Sequence, residues 1–356
     1  MFNTSSLRRL RALRDGHVRH CIKLGRMHRS WPLRFAALAF FVLGVVLNQT
    51  APGSSRPRWY KGNLHTHTLN SDGDSTPAEV VTWYREHEYN FLLLSDHNHL
   101  TDSAGLNTVF GSVGQFLVLQ GEEVTDSFNS KPIHVNAYDL ATELQPRHGT
   151  SIANTIQNNV DAILAVKALP SLNHPNYGWA VTSEDLLRVQ NLGLMEVYNG
   201  HPTVNNAGGG GFQSLDEMWD TLLSAGRRIK GIAVDDAHHF KKIGKEFANP
   251  GRGWIEVRAE ALTASAIHAA IEQGQFYAST GVKLKDVEIT ATEYKLVIDP
   301  RQTEKFTTSF IGAGGKVLAK SFDTAPSYTF QRGDGYVRAR VDSSFAASAW
   351  TQPAFH

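Results

Sequence analysis

The chain has 356 residues, 41% of them apolar and 19% charged, which suits a packed globular protein and excludes a disordered one. Its formal net charge of +1 is unevenly spread: residues 1–34 carry nine Arg or Lys against one Asp, which by subtraction leaves 26 bases and 33 acids, net −7, in the remainder. That remainder offers no basic face for nucleic acid.

The basic stretch ends at Arg34 and is followed by thirteen uncharged, mostly apolar residues, Phe35 to Leu47, then by Pro- and Gly-containing sequence. This is the order of a signal peptide. A membrane-spanning helix takes roughly 20 apolar residues, so a cleaved leader is expected over an uncleaved anchor, with cleavage between Ala51 and Arg56. Met27 gives the better proportioned start. The protein is therefore expected to be exported, periplasmic or extracellular, with membrane contact only through an uncleaved leader. Cys21, the single cysteine, lies in this segment, which excludes disulfides, thiolate zinc sites and cysteine nucleophiles from the mature chain.

Three parts are expected: the leader (1–55), an α/β domain (56–281) and a β-rich segment (282–356). In the second, short apolar runs alternate with amphipathic stretches, the pattern of a mainly parallel sheet with helices. Thr76, Pro77 and Glu79 form a capping box that starts a helix running to about His87. Strands are predicted at Phe91–Leu94, Phe116–Leu119, Ile133–Tyr138, Leu194–Tyr198, Ile229–Val234 and Trp254–Val257. Helices are predicted at Ile152–Val166, Ser183–Val189, Leu215–Leu223 and Ala264–Gln273. After Gly281, alternating runs broken by Gly312-Ala-Gly-Gly315 and Asp334-Gly335 predict antiparallel strands.

His65-Thr-His67 ends the first predicted strand, and residues two apart on a strand face the same way, so both imidazoles can meet one ion. Alone, such a pair is more often structural. Ser95-Asp96-His97-Asn98 then follows an apolar strand, at the end where α/β folds build sites. Gly121-Glu122-Glu123, His134, Asn173-His174-Pro175 and Asp235-Asp236-Ala237-His238 continue the series. Repeated acid and imidazole clusters on successive strands are hard to explain structurally. No G-x-S-x-G occurs, which argues against a serine esterase.

WYKGNLHTHTLNSDGDSTPAEVV, FLLLSDHN, GEEVT, HVNAYD, NHPNYGW, EVYNG and DDAH, in this order across about residues 59–240, resemble the PHP (polymerase and histidinol phosphatase) superfamily of metallohydrolases. GQFYASTG and AWTQP resemble its carbaryl hydrolase-like (CehA/McbA) branch. The resemblance implies a distorted (β/α)7 barrel with a small C-terminal antiparallel β segment. It also implies three divalent metal ions, Mn, Fe or Zn. His65, His67, Glu123 and Asp236 would hold the first, Glu123 with His134 and His174 the second, and Asp72, His97 and His238 the third. The family motif puts the bridging acid two residues after the glycine, at Glu123, with Glu122 the alternative.

Asp96, Asn98 and Asp235 are expected to orient ligand imidazoles. His99 and His201 are the candidate acids for the leaving group. The expected activity is a phosphoesterase using a metal-activated hydroxide on a small-molecule substrate. Many phosphatases of the superfamily have an Arg after His-Pro, whereas Asn176-Tyr177-Gly178 stands here. Lys61, Arg252 or a metal must then supply that charge. Asn176, Tyr177, Trp179 and Asn199 are instead expected to shape a pocket for an organic group. An ester or carbamate hydrolase on the same metals is the alternative, and a non-catalytic envelope binding protein a third reading.

Overall fold

The computed structural model describes residues 57–356; the leader, its cleavage site and Cys21 lie outside the described residues. No helix among the described residues is long and apolar enough to cross a membrane. The order is β1 (Arg58–Asn63), α1 (Pro77–Glu86), β2 (Phe91–Leu93), α2 (Ser103–Phe110), β3 (Leu117–Leu119), β4 (Gly121–Phe128), β5 (Lys131–Tyr138) and α3 (Ile152–Ala165). Then come β6 (Leu169–Leu172), α4 (Ser183–Leu186), β7 (Leu194–Asn199), α5 (Leu215–Ser224), β8 (Lys230–Val234), β9 (Trp254–Ala259), α6 (Ala264–Glu272) and β10 (Phe276–Ser279). The C-terminal strands are β11 (Leu284–Ile289), β12 (Glu293–Ile298), β13 (Phe306–Gly312), β14 (Lys316–Ser321), β15 (Ser327–Thr329), β16 (Tyr336–Ser343), β17 (Ser348–Thr351) and β18 (Ala354–Phe355).

Helix α1 starts where its cap predicts, because Thr76 Oγ1 accepts from the Glu79 amide and the Glu79 carboxylate accepts from the Thr76 amide at 2.7 Å. These bonds satisfy N–H groups that a helix start leaves without partners. Its buried face, Val80, Val81 and Tyr84, packs on Leu92, Leu94 and Phe116. Tyr84 also ties the sheet together. Its hydroxyl donates to Asp235 Oδ2 at 2.8 Å and accepts from Asn63 Nδ2 at 2.8 Å, joining the ends of β8 and β1.

The fold is mixed α/β in three sheets: β14-β13-β16-β17-β10-β9-β1-β2-β3 with β18 on β16, then β4-β5-β6-β7-β8, then β11-β12-β15. The expectation of mainly parallel strands needs correction. Among the described residues only β1–β2–β3 and β6–β7–β8 run parallel, whereas β4–β5–β6 and β1–β9–β10 are antiparallel. The cause at β4–β5 is a two-residue loop, Asn129-Ser130, with φ of 49° and 63°. Left-handed backbone at both central positions reverses a strand directly, but a pair without glycine does not announce it in sequence. The first two sheets meet at two isolated parallel bridges, Thr66–Ala237 and His97–Glu123. Among the described residues their ladders do not otherwise close into a ring.

After Gly281 the pairings are antiparallel, as the turn residues predict. The segment continues the first sheet, since β17 pairs with β10. It is also pinned to α5 by buried Arg338, whose Nε and Nη2 each donate to the Asp220 carboxylate at 2.7 Å.

Candidate metal centre

The nine residues singled out as ligands converge, because the ends of their strands are laced by backbone hydrogen bonds. Asp236 N donates to His65 O and His67 N to Ala237 O, which joins the β8 and β1 ends. Ser95 N donates to Thr66 O, Asn98 N to Glu123 O, Glu123 N to Asp96 O, and Asn173 N to His134 O. The backbone is strained here. His174, Asp236 and Asn98 have φ of 21°, 51° and 47°, a region costing non-glycine residues about 1–3 kcal/mol each and characteristic of functional sites.

Two imidazole nitrogens meet two carboxylate oxygens. His65 Nε2 and His67 Nε2 are 3.1 Å apart. Asp236 Oδ1 is 3.2 and 3.3 Å from them, and Glu123 Oε2 is 3.4 and 3.3 Å from them. Ligands at about 2.0–2.1 Å around a tetrahedral ion lie about 3.3 Å from one another, a spacing that the imidazole pair matches with Glu123 Oε2 and with Asp236 Oδ1. Glu123 turns its other oxygen elsewhere: Oε1 is 2.9 Å from His134 Nδ1 and 3.4 Å from His174 Nε2. Its Oε2 is also 2.9 Å from His97 Nδ1. A further group gathers on Asp72. Its Oδ1 is 3.3 Å from His238 Nε2 and 3.5 Å from His67 Nδ1, while Oδ2 is 3.5 Å from His97 Nε2. Glu122 is directed away, toward the Leu144 amide at 2.8 Å; burial raises its carboxyl to about 7.

Charge pairing dominates this cluster. Burial opposes ionisation of Glu123 and Asp236, but the surrounding imidazoles, His65 foremost, outweigh it and hold both carboxyls well below the usual range. Burial likewise pulls His97 down, yet Glu123 and Asp72 beside it raise the ring to about 10. Desolvation wins at His201, which falls to about 4.

Supporting residues divide sharply. Asp96 touches no ligand ring; it accepts from Thr68 N and Oγ1, Ser71 Oγ and Thr101 Oγ1, fixing the loop that carries Asp72. Asn98 clasps the Thr125 backbone, and Thr125 Oγ1 lies 2.5 Å from His97 Nδ1. Asp235 accepts from Tyr84, Arg252 N and Gly253 N. These three position backbone or hydroxyls instead of gripping imidazoles. The carboxylate that does grip one is Glu196, which the sequence reading leaves without a role. Its Oε1 is 2.7 Å from His65 Nδ1, and its Oε2 accepts from His174 N at 2.6 Å and Asn199 Nδ2 at 2.8 Å. An acid inside the apolar strand Leu194–Asn199 was the available signal.

A cavity of about 270 Å³ opens on the cluster, lined by Asp72, His97, Glu123, His134, His174, Tyr177, His201, Asp236, His238 and His239. His201 is on its wall; His99 is not, lying half-exposed 3.7 Å from Glu143. Tyr177 stands edge-on to His174 with ring centres 5.2 Å apart. Asn176 instead spends its amide on the Asn205 and Gln213 carbonyls, and Trp179 stacks on Phe212 at 4.6 Å. Neither Lys61 nor Arg252 lines the cavity. Lys61 Nζ sits over the Tyr89 and Trp254 rings at 3.8 and 4.3 Å, and Arg252 donates to Gly200 O, Gly244 O and Asn249 Oδ1.

No family model and no curated protein matches the sequence. Among solved structures, a two-domain protein from Bacteroides vulgatus containing a predicted PHP-like metal-dependent phosphoesterase is 16% identical over 80% of this chain and 90% of its own, with a TM-score of 0.49. A candidate metal-dependent phosphoesterase from Bifidobacterium adolescentis is 14% identical over 53% of this chain and 89% of its own, with a TM-score of 0.37. An amidohydrolase from Chromobacterium violaceum with bound sulfate and no metal is 16% identical over 51% and 88%, with a TM-score of 0.36. Likeness at this level does not determine what the chain does, and the functional reading rests on its own side chains.

Proposed function

We propose that the chain is an exported metal-dependent hydrolase of small phosphoesters, with three divalent ions at the mouth of a distorted PHP-type (β/α)7 barrel. One observation carries the reading: His65 Nε2 and His67 Nε2, 3.1 Å apart, each have Asp236 Oδ1 and Glu123 Oε2 within 3.4 Å. The bridges Thr66–Ala237 and His97–Glu123 support the barrel, since they link β8 to β1 and β2 to β4. Nitrogen and oxygen ligation without sulfur is compatible with manganese, iron or zinc. The leader alone supports export.

His65, His67, Glu123 and Asp236 would hold one ion, Glu123, His134 and His174 a second, and Asp72, His97 and His238 a third. Such ions supply an acidified water near neutral pH and offset charge on a substrate oxyanion. The protein's part is to keep the ligand lone pairs available. Glu196 accepts the Nδ1 proton of His65, which leaves Nε2 free to ligate. Asn199 bridges Glu196 and Asp236 at 2.8 and 3.1 Å, fixing the acid opposite that ring. Tyr177 gives the cavity an aromatic wall for an organic group.

Ester or carbamate hydrolysis on the same residues is a second reading, favoured by the absence of Lys and Arg from the cavity wall. Elemental analysis with paired nitrophenyl phosphate and nitrophenyl acetate assays separates the two. Two or three metals per chain with preference for phosphate supports the first reading, and preference for acetate the second. His67→Ala with Asp236→Ala should empty the first position; unchanged metal content in that variant refutes the ligand assignment.

A further inference from the structure

His201 lies on the wall of the cavity between two other lining residues, its ring centre 5.4 Å from that of His238 and 6.3 Å from that of Tyr177, edge-on to both. Its Nδ1 is engaged on the side of its own loop. The Thr203 amide donates to it at 3.3 Å, and Thr203 Oγ1 lies 2.8 Å away. A backbone N–H can only donate, so Nδ1 carries a lone pair and the ring's proton resides on Nε2. The polar group that the ring has left to offer is therefore an N–H.

The loop behind this ring is held on several sides. Asn199 Oδ1 accepts from His201 N at 2.8 Å, while Asn199 Nδ2 reaches Glu196 and Asp236. Gly200 N donates to Val234 O, Arg252 Nη1 to Gly200 O, and Val204 N to His201 O. Val204 also forms an antiparallel bridge with Tyr177. Donors fixed in advance by their surroundings stabilise oxyanions without reorganising when charge develops.

We infer that His201 is a fixed hydrogen-bond donor to an oxyanion of the bound substrate, acting through Nε2–H, and is not the acid that protonates the leaving group. The inference rests on the hydrolase reading for its substrate, but the donor itself is testable without turnover. Gln places an amide N–H near the position of histidine Nε2, whereas Asn reaches only to the position of Nδ1, where the Thr203 amide demands an acceptor.

The test uses the full chain loaded with metal, and measures inorganic phosphate binding by calorimetry and bis(4-nitrophenyl) phosphate hydrolysis for wild type, His201→Ala, His201→Asn and His201→Gln. The Ala and Asn variants should keep their metal and lose about 100-fold in turnover, with weaker phosphate binding, while Gln restores much of both. Gln as impaired as Ala overturns the donor role and returns His201 to an acid. Phosphate binding that is absent in wild type, or that no variant weakens, also overturns it. If wild type binds phosphate in this pattern yet hydrolyses nothing, the donor stands and the hydrolase reading fails.

Discussion

Glu196→Gln removes one charge and converts one acceptor oxygen into a donor, at a carboxylate with no spare contact. Glu196 Oε1 takes the His65 Nδ1 proton at 2.7 Å, and Oε2 takes two donors, His174 N at 2.6 Å and Asn199 Nδ2 at 2.8 Å. A glutamine has one oxygen for these three donors. If that oxygen stays with His174 and Asn199, the amide N–H₂ faces His65 Nδ1, and the ring must move its proton to Nε2. That atom sits 3.1–3.4 Å from its fellow ligand atoms on His67, Asp236 and Glu123, so the proton then occupies the lone pair an ion needs. If the oxygen turns to His65 instead, two buried N–H donors lose a charged acceptor, about 1.5–3 kcal/mol each. The first arrangement costs less. Loss of a residue that orients a metal-bound histidine weakens metal affinity about 10–100-fold, or about 1.4–2.7 kcal/mol. Chelator-competition titration of the folded variant measures this directly, with thermal unfolding as the control. Wild-type affinity in Glu196→Gln would refute the claim that this carboxylate sets the tautomer of His65.

Two further outcomes follow from the same contacts. In the metal-free protein His97 is raised from 6.5 to about 10, so the stability it contributes is fully present below pH 6.5 and is lost as pH rises through about 10. Metal-free protein should therefore unfold more readily at pH 10 than at pH 7. Metal affinity should rise over that interval, since an ion must displace the proton; affinity flat with pH would contradict the pairing. Separately, Asp220→Ala deprives the guanidinium of Arg338, 1% exposed, of its two 2.7 Å bonds and leaves it Asp216 Oδ1 at 3.0 Å from Nη2. Because Asp216 remains, the loss should stay below the about 3–5 kcal/mol of a buried charge left with no partner, and denaturant unfolding should show it with metal content unchanged. A loss below about 1 kcal/mol would mean the segment does not depend on this clamp.

The sequence was most legible where the physics is local. The α1 cap, the apolar runs and the acid and imidazole clusters at strand ends are all contiguous patterns, and they identified residues that the fold brings within a few ångströms. Strand direction was less legible, because it depends at β4–β5 on the backbone of Asn129 and Ser130 and not on a hydrophobic period. Helix α2 was missed although Asp102 caps it, accepting from Ala104 N and Gly105 N. Partners at long separation were hardest: Glu196 meets His65 across 131 residues. Asp96, Asn98 and Asp235 adjoin ligands in sequence just past the ends of β2 and β8, where Asn98 and Asp236 have left-handed backbone and no strand period sets side-chain direction, and all three act on backbone or hydroxyls.

The lining of the cavity connects its charge to its chemistry. A site that binds a phosphoester through side chains alone requires Arg or Lys at the anion; here the candidates Lys61 and Arg252 are committed to aromatic rings and carbonyls outside the lining. What remains is three carboxylates, Asp72, Glu123 and Asp236, among six ligand imidazoles. On the three-ion reading, six positive charges meet three negative ones, leaving a surplus of three directed at the cavity, or two once Glu196 behind His65 is included. Metal loading would thus decide whether the cavity favours an anion at all. The imidazoles beside these carboxylates hold Glu123 below the usual range, and the carboxylates raise His97 to about 10. Protons and ions therefore compete for the same lone pairs, and the preference for phosphoester over neutral ester should grow with the number of ions bound.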